Sequence, residues 1–137
     1  MPFSTRLFVK TSLVYAVLAA VFFALADAAS FFHWRGFSPY QTALHLFLVG
    51  WVLQLIFGIG HWMFPKYSRE RPRGYEGLMY FAYVALNLGL VARLVVEPFP
   101  GLWLQSWSRG LLLFSGLAQW AGLLAAVFNL ALRIKVR

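Results

Sequence analysis

Charge is scarce in this 137-residue sequence, in which Asp, Glu, Lys and Arg together make up 12% while hydrophobic residues make up 61%. Soluble domains carry about 25% charged and about 45–50% apolar residues, so this chain cannot coat its own surface with solvated groups. A water-soluble enzyme and a disordered tail are both excluded, and lipid is the expected solvent. Cysteine is absent, which excludes disulfides, zinc–thiolate sites, iron–sulfur clusters and covalently attached haem c. Acidic residues number only four against twelve Lys and Arg, a formal net charge of +8. The basic residues stand in short blocks between long apolar runs, which suits anionic headgroups and not a nucleic acid.

Four apolar runs are long enough to cross roughly 30 Å of hydrocarbon, which takes about 20 helical residues. They span Leu7 to about Ala29, Tyr40 to Phe64, Tyr75 to Val96, and about Gly110 to Leu132. Hydrocarbon leaves no partner for an unpaired backbone group, so each run is expected as a helix. Segments of about ten residues with period-2 alternation, the mark of a membrane barrel, are missing. The expected fold is all-α: a four-helix transmembrane bundle forming a single domain over residues 1–137. The first run imitates a secretory signal ending Ala26-Asp27-Ala28-Ala29, but it is long for a signal and is expected to be a true span.

Local punctuation agrees. Ser38 and Pro39 suit the N-cap and first turn of the second helix. Pro65 ends that helix, Pro72 and Gly74 precede the third, and Glu97-Pro98-Phe99-Pro100-Gly101 follows it. The segment from Leu102 to Trp107 is expected at the headgroup level, where indoles concentrate. Arg6 and Lys10, then Lys66, Arg69, Arg71 and Arg73, then Arg133, Lys135 and Arg137 lie on one side of the four spans. The positive-inside rule puts both termini and the middle loop in the cytoplasm, giving a multi-pass protein of the cell inner membrane.

Most catalytic constellations are missing: there is no HExxH, no phosphate-binding glycine loop and no defensible Ser–His–Asp order. Asp27, His33, His45, His61, Arg93 and Glu97 remain as ionisable residues in or near the spans, and such residues are costly in lipid. The second helix is the most informative. At 100° per residue His45 shares a face with Val49, Val52, Ile56, Ile59 and Met63, while Gly50, Gln54, Gly58 and His61 gather on the other side. Small residues there let a helix, or a flat macrocycle, approach closely. A neutral imidazole in an apolar slot suits a haem iron.

His45, Leu46, Gly50, Trp51, Ile56, Phe57, Gly58 and Pro65 together resemble the second transmembrane helix of haem–copper oxidase subunit I and of the nitric oxide reductase large subunit. They are similar, more closely, to the small four-helix membrane proteins related to subunit I. The resemblance covers one helix in four. It implies haem b with His45 as an axial ligand, serving electron transfer or the binding of NO or O2. Arg93, Arg35 and Arg109 are candidates to pair with the propionates, and Trp51, Trp62 and Tyr80 to pack on the porphyrin.

The chain departs from those families in having no histidine in its third and fourth helices. A dioxygen-reducing binuclear centre from this chain alone is therefore excluded, and so is an enzyme of that kind. His61 lies sixteen residues beyond His45, about 24 Å along a helix, so the two cannot share one iron. The sixth position would be open, or filled by His33 or by a second protomer, and a homo-oligomer is expected because four helices cover a haem thinly.

Plainer readings stand beside these. His45 suits a core histidine bonded to a neighbour, and Arg93 with Glu97 suits a helix-end pair at i, i+4. Asp27 with Arg93 suits an interhelical ion pair. Gly50, Gly58, Gly116 and Gly122 suit packing, and Gln54, Asn87, Gln119 and Asn129 suit hydrogen bonds between helices. His61 is expected at the headgroup level beside the basic loop. The alternative function is a haem-free accessory or assembly subunit of a respiratory membrane complex.

Overall fold

Apolar side chains in helical register dominate the four predicted runs, and the computed structural model, which describes residues 1–134, forms a helix from each. These are α1 (Phe3–Phe31), α2 (Tyr40–Met63), α3 (Glu76–Val96) and α4 (Ser106–Ala131). All four are long and apolar enough to cross a membrane, as in a multi-pass membrane protein. A single 3₁₀ turn, Pro100–Leu102, interrupts the α3–α4 connection, and no strand occurs among the described residues. Lys135 and Arg137 lie outside them.

Two helices outrun the predicted spans, α1 at both ends and α4 at its start, while α2 and α3 match theirs to within one residue. Hydropathy marks where a chain leaves lipid, whereas hydrogen bonding continues through polar turns, so α1 begins at Phe3 and α4 at Ser106. Ser38 is not the cap expected of it. Pro39 directly precedes α2, no side chain caps that helix, and the Ser38 N–H donates instead to Pro98 O at 2.8 Å.

Packing divides the bundle into two antiparallel hairpins, α1 with α2 and α3 with α4, with sparser contact between them. Glycine sets the close approach within each. A Cβ on Gly50 would lie 2.7 Å from Tyr15 Cγ, and one on Gly58 would lie 2.9 Å from Phe8 Cβ. In the second hairpin a Cβ on Gly89 would lie 2.9 Å from Ser115 O, and one on Gly122 3.1 Å from Ala82 O. The glycine side of α2 is thus filled by α1 and leaves no slot for a macrocycle.

Polar side chains bridge the two hairpins at successive depths. Gln54 and Asn87 exchange amide hydrogen bonds at 3.4 and 3.3 Å, and Thr11 Oγ1 lies 2.7 Å from the Tyr83 hydroxyl. At the end holding the N-terminus and the basic loop, here the basic end, Arg133 reaches from beyond α4 to α2. Its guanidinium donates to the carbonyls of His61 (2.7 Å), Pro65 (2.9 Å) and Phe64, satisfying carbonyls that a helix end leaves open. His61 lies at this end, as expected, and is fully buried beneath that guanidinium.

The α2 helix contains an eight-residue π-helical stretch, Leu46–Leu53. Each residue turns through a smaller angle there than in an α-helix, so the face expected from a uniform 100° step is not continuous. Ile56, Ile59 and Met63 are exposed on the bundle surface, while His45, just before the stretch, meets α3.

Candidate functional site

His45 closes the first α-helical turns of α2 at the far end of the bundle, and its Nδ1 lies 2.9 Å from Gln41 O, one turn back. The Glu97 carboxylate Oε2 stands 3.2 Å from the same nitrogen. Both neighbours are oxygen acceptors, so the ring proton belongs on Nδ1. Its directed hydrogen bond goes to the Gln41 carbonyl, and Glu97 Oε2 contacts the ring without an aligned hydrogen bond. Nε2 makes no hydrogen bond among the described residues. A third of the His45 side chain is exposed, against 6% for Glu97.

Glu97 directly follows α3, where the helix gives way to Pro98, and this position turns its carboxylate inward. Arg93, one turn earlier, donates from Nη1 to Glu97 Oε1 at 2.9 Å. Burial pushes the Glu97 carboxyl pKa up, but the His45 ring and the Arg93 guanidinium together outweigh that and hold it below the ordinary carboxylate value. Arg93 Nε and Thr42 Oγ1 are also buried at this end without hydrogen-bond partners among the described residues. Buried polar atoms of this kind are commonly satisfied by water.

Of the residues singled out in the sequence, His45 and Arg93 are brought together, through Glu97. His33 and Arg35 sit exposed in the α1–α2 loop, with His33 in the left-handed region at φ 54°, and neither side chain has a hydrogen bond or ion pair among the described residues. Trp51 is half-buried, with its ring edge-on to Phe47 at 5.0 Å. Of the helix-end pair and the interhelical pair considered for Arg93, the helix-end one forms: Arg93 pairs with Glu97 and not with Asp27. Glu97 as a partner of His45 went unseen, because the two are 52 positions apart and join only through packing. The signal lay in depth: the end of the third run, with Arg93 and Glu97, comes to the same side of the bundle as the start of the second run, where His45 lies.

Among the described residues, no three His, Cys, Asp or Glu side chains gather as they would around a protein-ligated metal ion. A porphyrin supplies four nitrogens of its own and needs only one or two axial side chains. The donor set therefore fits haem from one side: an imidazole with Nδ1 held by a carbonyl beside a carboxylate, and Nε2 unengaged, is arranged like a metal-ligating histidine. The interior does not fit a macrocycle, since Tyr15 and Phe8 occupy the glycine side of α2. A ring could reach His45 only from the partly exposed surface of the bundle.

No protein family, curated protein or solved structure matches the chain. The likeness to oxidase subunit I therefore rests on the residues of α2 alone.

Proposed function

We propose that this chain is a multi-pass protein of the cell inner membrane, with its basic end in the cytoplasm, in which His45 is the axial ligand of a surface-bound haem b. One observation supports this reading above the others: His45 Nδ1 bonds to Gln41 O beside the Glu97 carboxylate, while Nε2 has no hydrogen-bond partner among the described residues. Haem b, when bound, supplies one-electron redox chemistry and a coordination site for diatomic gases. The residues around it have narrower tasks. Gln41 and Glu97 fix the imidazole's tautomer and direction, and Arg93 balances the carboxylate. Because His45 is part-exposed at the bundle's rim, the other face of the macrocycle would be covered by lipid, a second protomer or a subunit of a respiratory complex.

The second reading, a haem-free accessory subunit of such a complex, is favoured by the filled glycine side of α2. In that case the His45–Glu97–Arg93 cluster only joins the two hairpins. Absorption spectroscopy of the full chain purified after expression with ample haem separates the two. A Soret band lost in His45→Ala and kept in His61→Ala is expected. A band that survives His45→Ala removes His45 as ligand, and no band in the unaltered protein favours the accessory subunit. CO binding to the reduced protein then tells an open sixth position from a filled one.

A further inference from the structure

At the far end, opposite the basic loop, a cavity of about 560 Å³ opens between the last turns of α1 and the loop into α2. It lies within the roughly 300–1,000 Å³ that small-molecule sites occupy. The short side chains of Ala26, Ala29 and Ser30 line it on the α1 side, and Ser38 and Tyr40 line it on the side of the loop and α2. Its wall carries Asp27. The sequence has four acidic residues: Glu97 is held by Arg93 and His45, and Glu70 and Glu76 belong to the basic-end loop region. Asp27 is thus the acidic residue left to this cavity, and its carboxylate has no ion pair or hydrogen bond among the described residues.

Three aromatic side chains, Trp34, Phe37 and Tyr40, line the same space. They are braced from behind: Phe37 lies 5.7 Å from Phe99, Trp34 stacks on Phe32 at 6.1 Å, and Tyr40 is edge-on to Phe23 at 6.0 Å. Trp34 and Phe37 are inclined at 53° with their centroids 6.3 Å apart, so their faces diverge and do not stack shut. Ser30 and Ser38 add hydroxyl groups.

We infer that this cavity binds an organic ammonium group, with Asp27 as counter-ion, Trp34, Phe37 and Tyr40 as the aromatic wall, and the Ser30 and Ser38 hydroxyls as further acceptors. A carboxylate beside aromatic faces attracts a diffuse organic cation through charge and ring quadrupole together. One carboxylate in so wide a space lacks the six or more close oxygens that calcium takes, and its charge repels anions. The same chemistry is offered by a soluble amine and by an ethanolamine lipid headgroup. The site is independent of His45.

The full chain in detergent micelles is titrated with tetramethylammonium chloride and with ethanolamine hydrochloride, with sodium chloride as the ionic-strength control, and tryptophan fluorescence is read. A saturable response absent with sodium chloride is expected, with affinity falling at least tenfold in Asp27→Asn. Trp34→Phe keeps an aromatic face and should retain binding detected by equilibrium dialysis, whereas Trp34→Ala should weaken it. Equal affinity in Asp27→Asn, or a response that sodium chloride reproduces, overturns the inference. Nanodiscs then identify the source: weaker apparent binding in phosphatidylethanolamine than in phosphatidylglycerol discs assigns the site to the lipid headgroup, and equal binding assigns it to a soluble amine.

Discussion

Glu97 carries a charge that the helix end could have shed into water one residue later, yet its side chain is turned inward onto His45 and Arg93. Removing one member of a buried ion pair leaves the other uncompensated, at a cost of about 3–5 kcal/mol when both are fully enclosed. Arg93 and His45 are partly exposed, so Glu97→Ala is expected near the lower end, about 3 kcal/mol, measured by denaturant unfolding in micelles. The pH dependence has a definite sign. The folded pKa lies below the ordinary value of 4.5, so this contribution is complete above that value and is lost as pH falls through the lower, folded one. Wild type should therefore lose stability below about pH 4.5, and Glu97→Gln should show a flatter profile over the same window. An unchanged slope in the variant would refute that role for the carboxylate. Arg93–Glu97 was legible from i, i+4 spacing, whereas the third member, His45, was not, since no local rule links α2 to the end of α3.

Within the α1–α2 hairpin, contact is set by what glycine lacks. Gly50 sits in the π-helical stretch directly against the Tyr15 ring, whose Cβ and Cγ lie within 2.8 Å of any added Cβ. Those atoms are tied to the α1 backbone and cannot swing aside, so Gly50→Ala should push the helices apart and destabilise the protein by about 1–3 kcal/mol. Gly77, which has no described atom within 4 Å of an added Cβ, is the control: Gly77→Ala should be neutral or slightly stabilising, since alanine is the better helix former. Thermal unfolding followed by circular dichroism compares the two. Glycine spacing revealed that α2 has a close-packing side but not its occupant. The π stretch itself was invisible to a wheel drawn at constant pitch, and that is why the expected His45 stripe divides into a half-buried part and an exposed one.

Across the whole molecule, polar side-chain contacts join two hairpins that also share a buried apolar core, with Phe8 and Phe57 of the first hairpin packed among Met79, Leu86 and Leu130 of the second. His45–Glu97 stands at the far end, Gln54–Asn87 and Thr11–Tyr83 between, and Arg133 with the α2 carbonyls at the basic end. In lipid, apolar surfaces gain little by leaving one solvent for an equally apolar one, so polar contacts and close packing carry more of the association. The orientation proposed for this bundle is open to a clean test because the sequence contains no cysteine. Ser68→Cys in the basic loop should resist a membrane-impermeant maleimide in intact spheroplasts, whereas Gln105→Cys before α4 should react. The reverse pattern would invert the bundle.

Length and charge distribution by themselves determined four apolar helices, their approximate limits and which helix ends share a side, because lipid forces every span to satisfy its backbone internally and excludes charge from its core. Those constraints act on each segment separately and can be read one segment at a time. Which helices pair, that Tyr15 and not a cofactor faces Gly50, that Glu97 meets His45, and that Asp27 opens onto an aromatic cavity were decided only by tertiary structure. Each depends on where two distant segments lie side by side, and a linear pattern of residues carries no record of that distance.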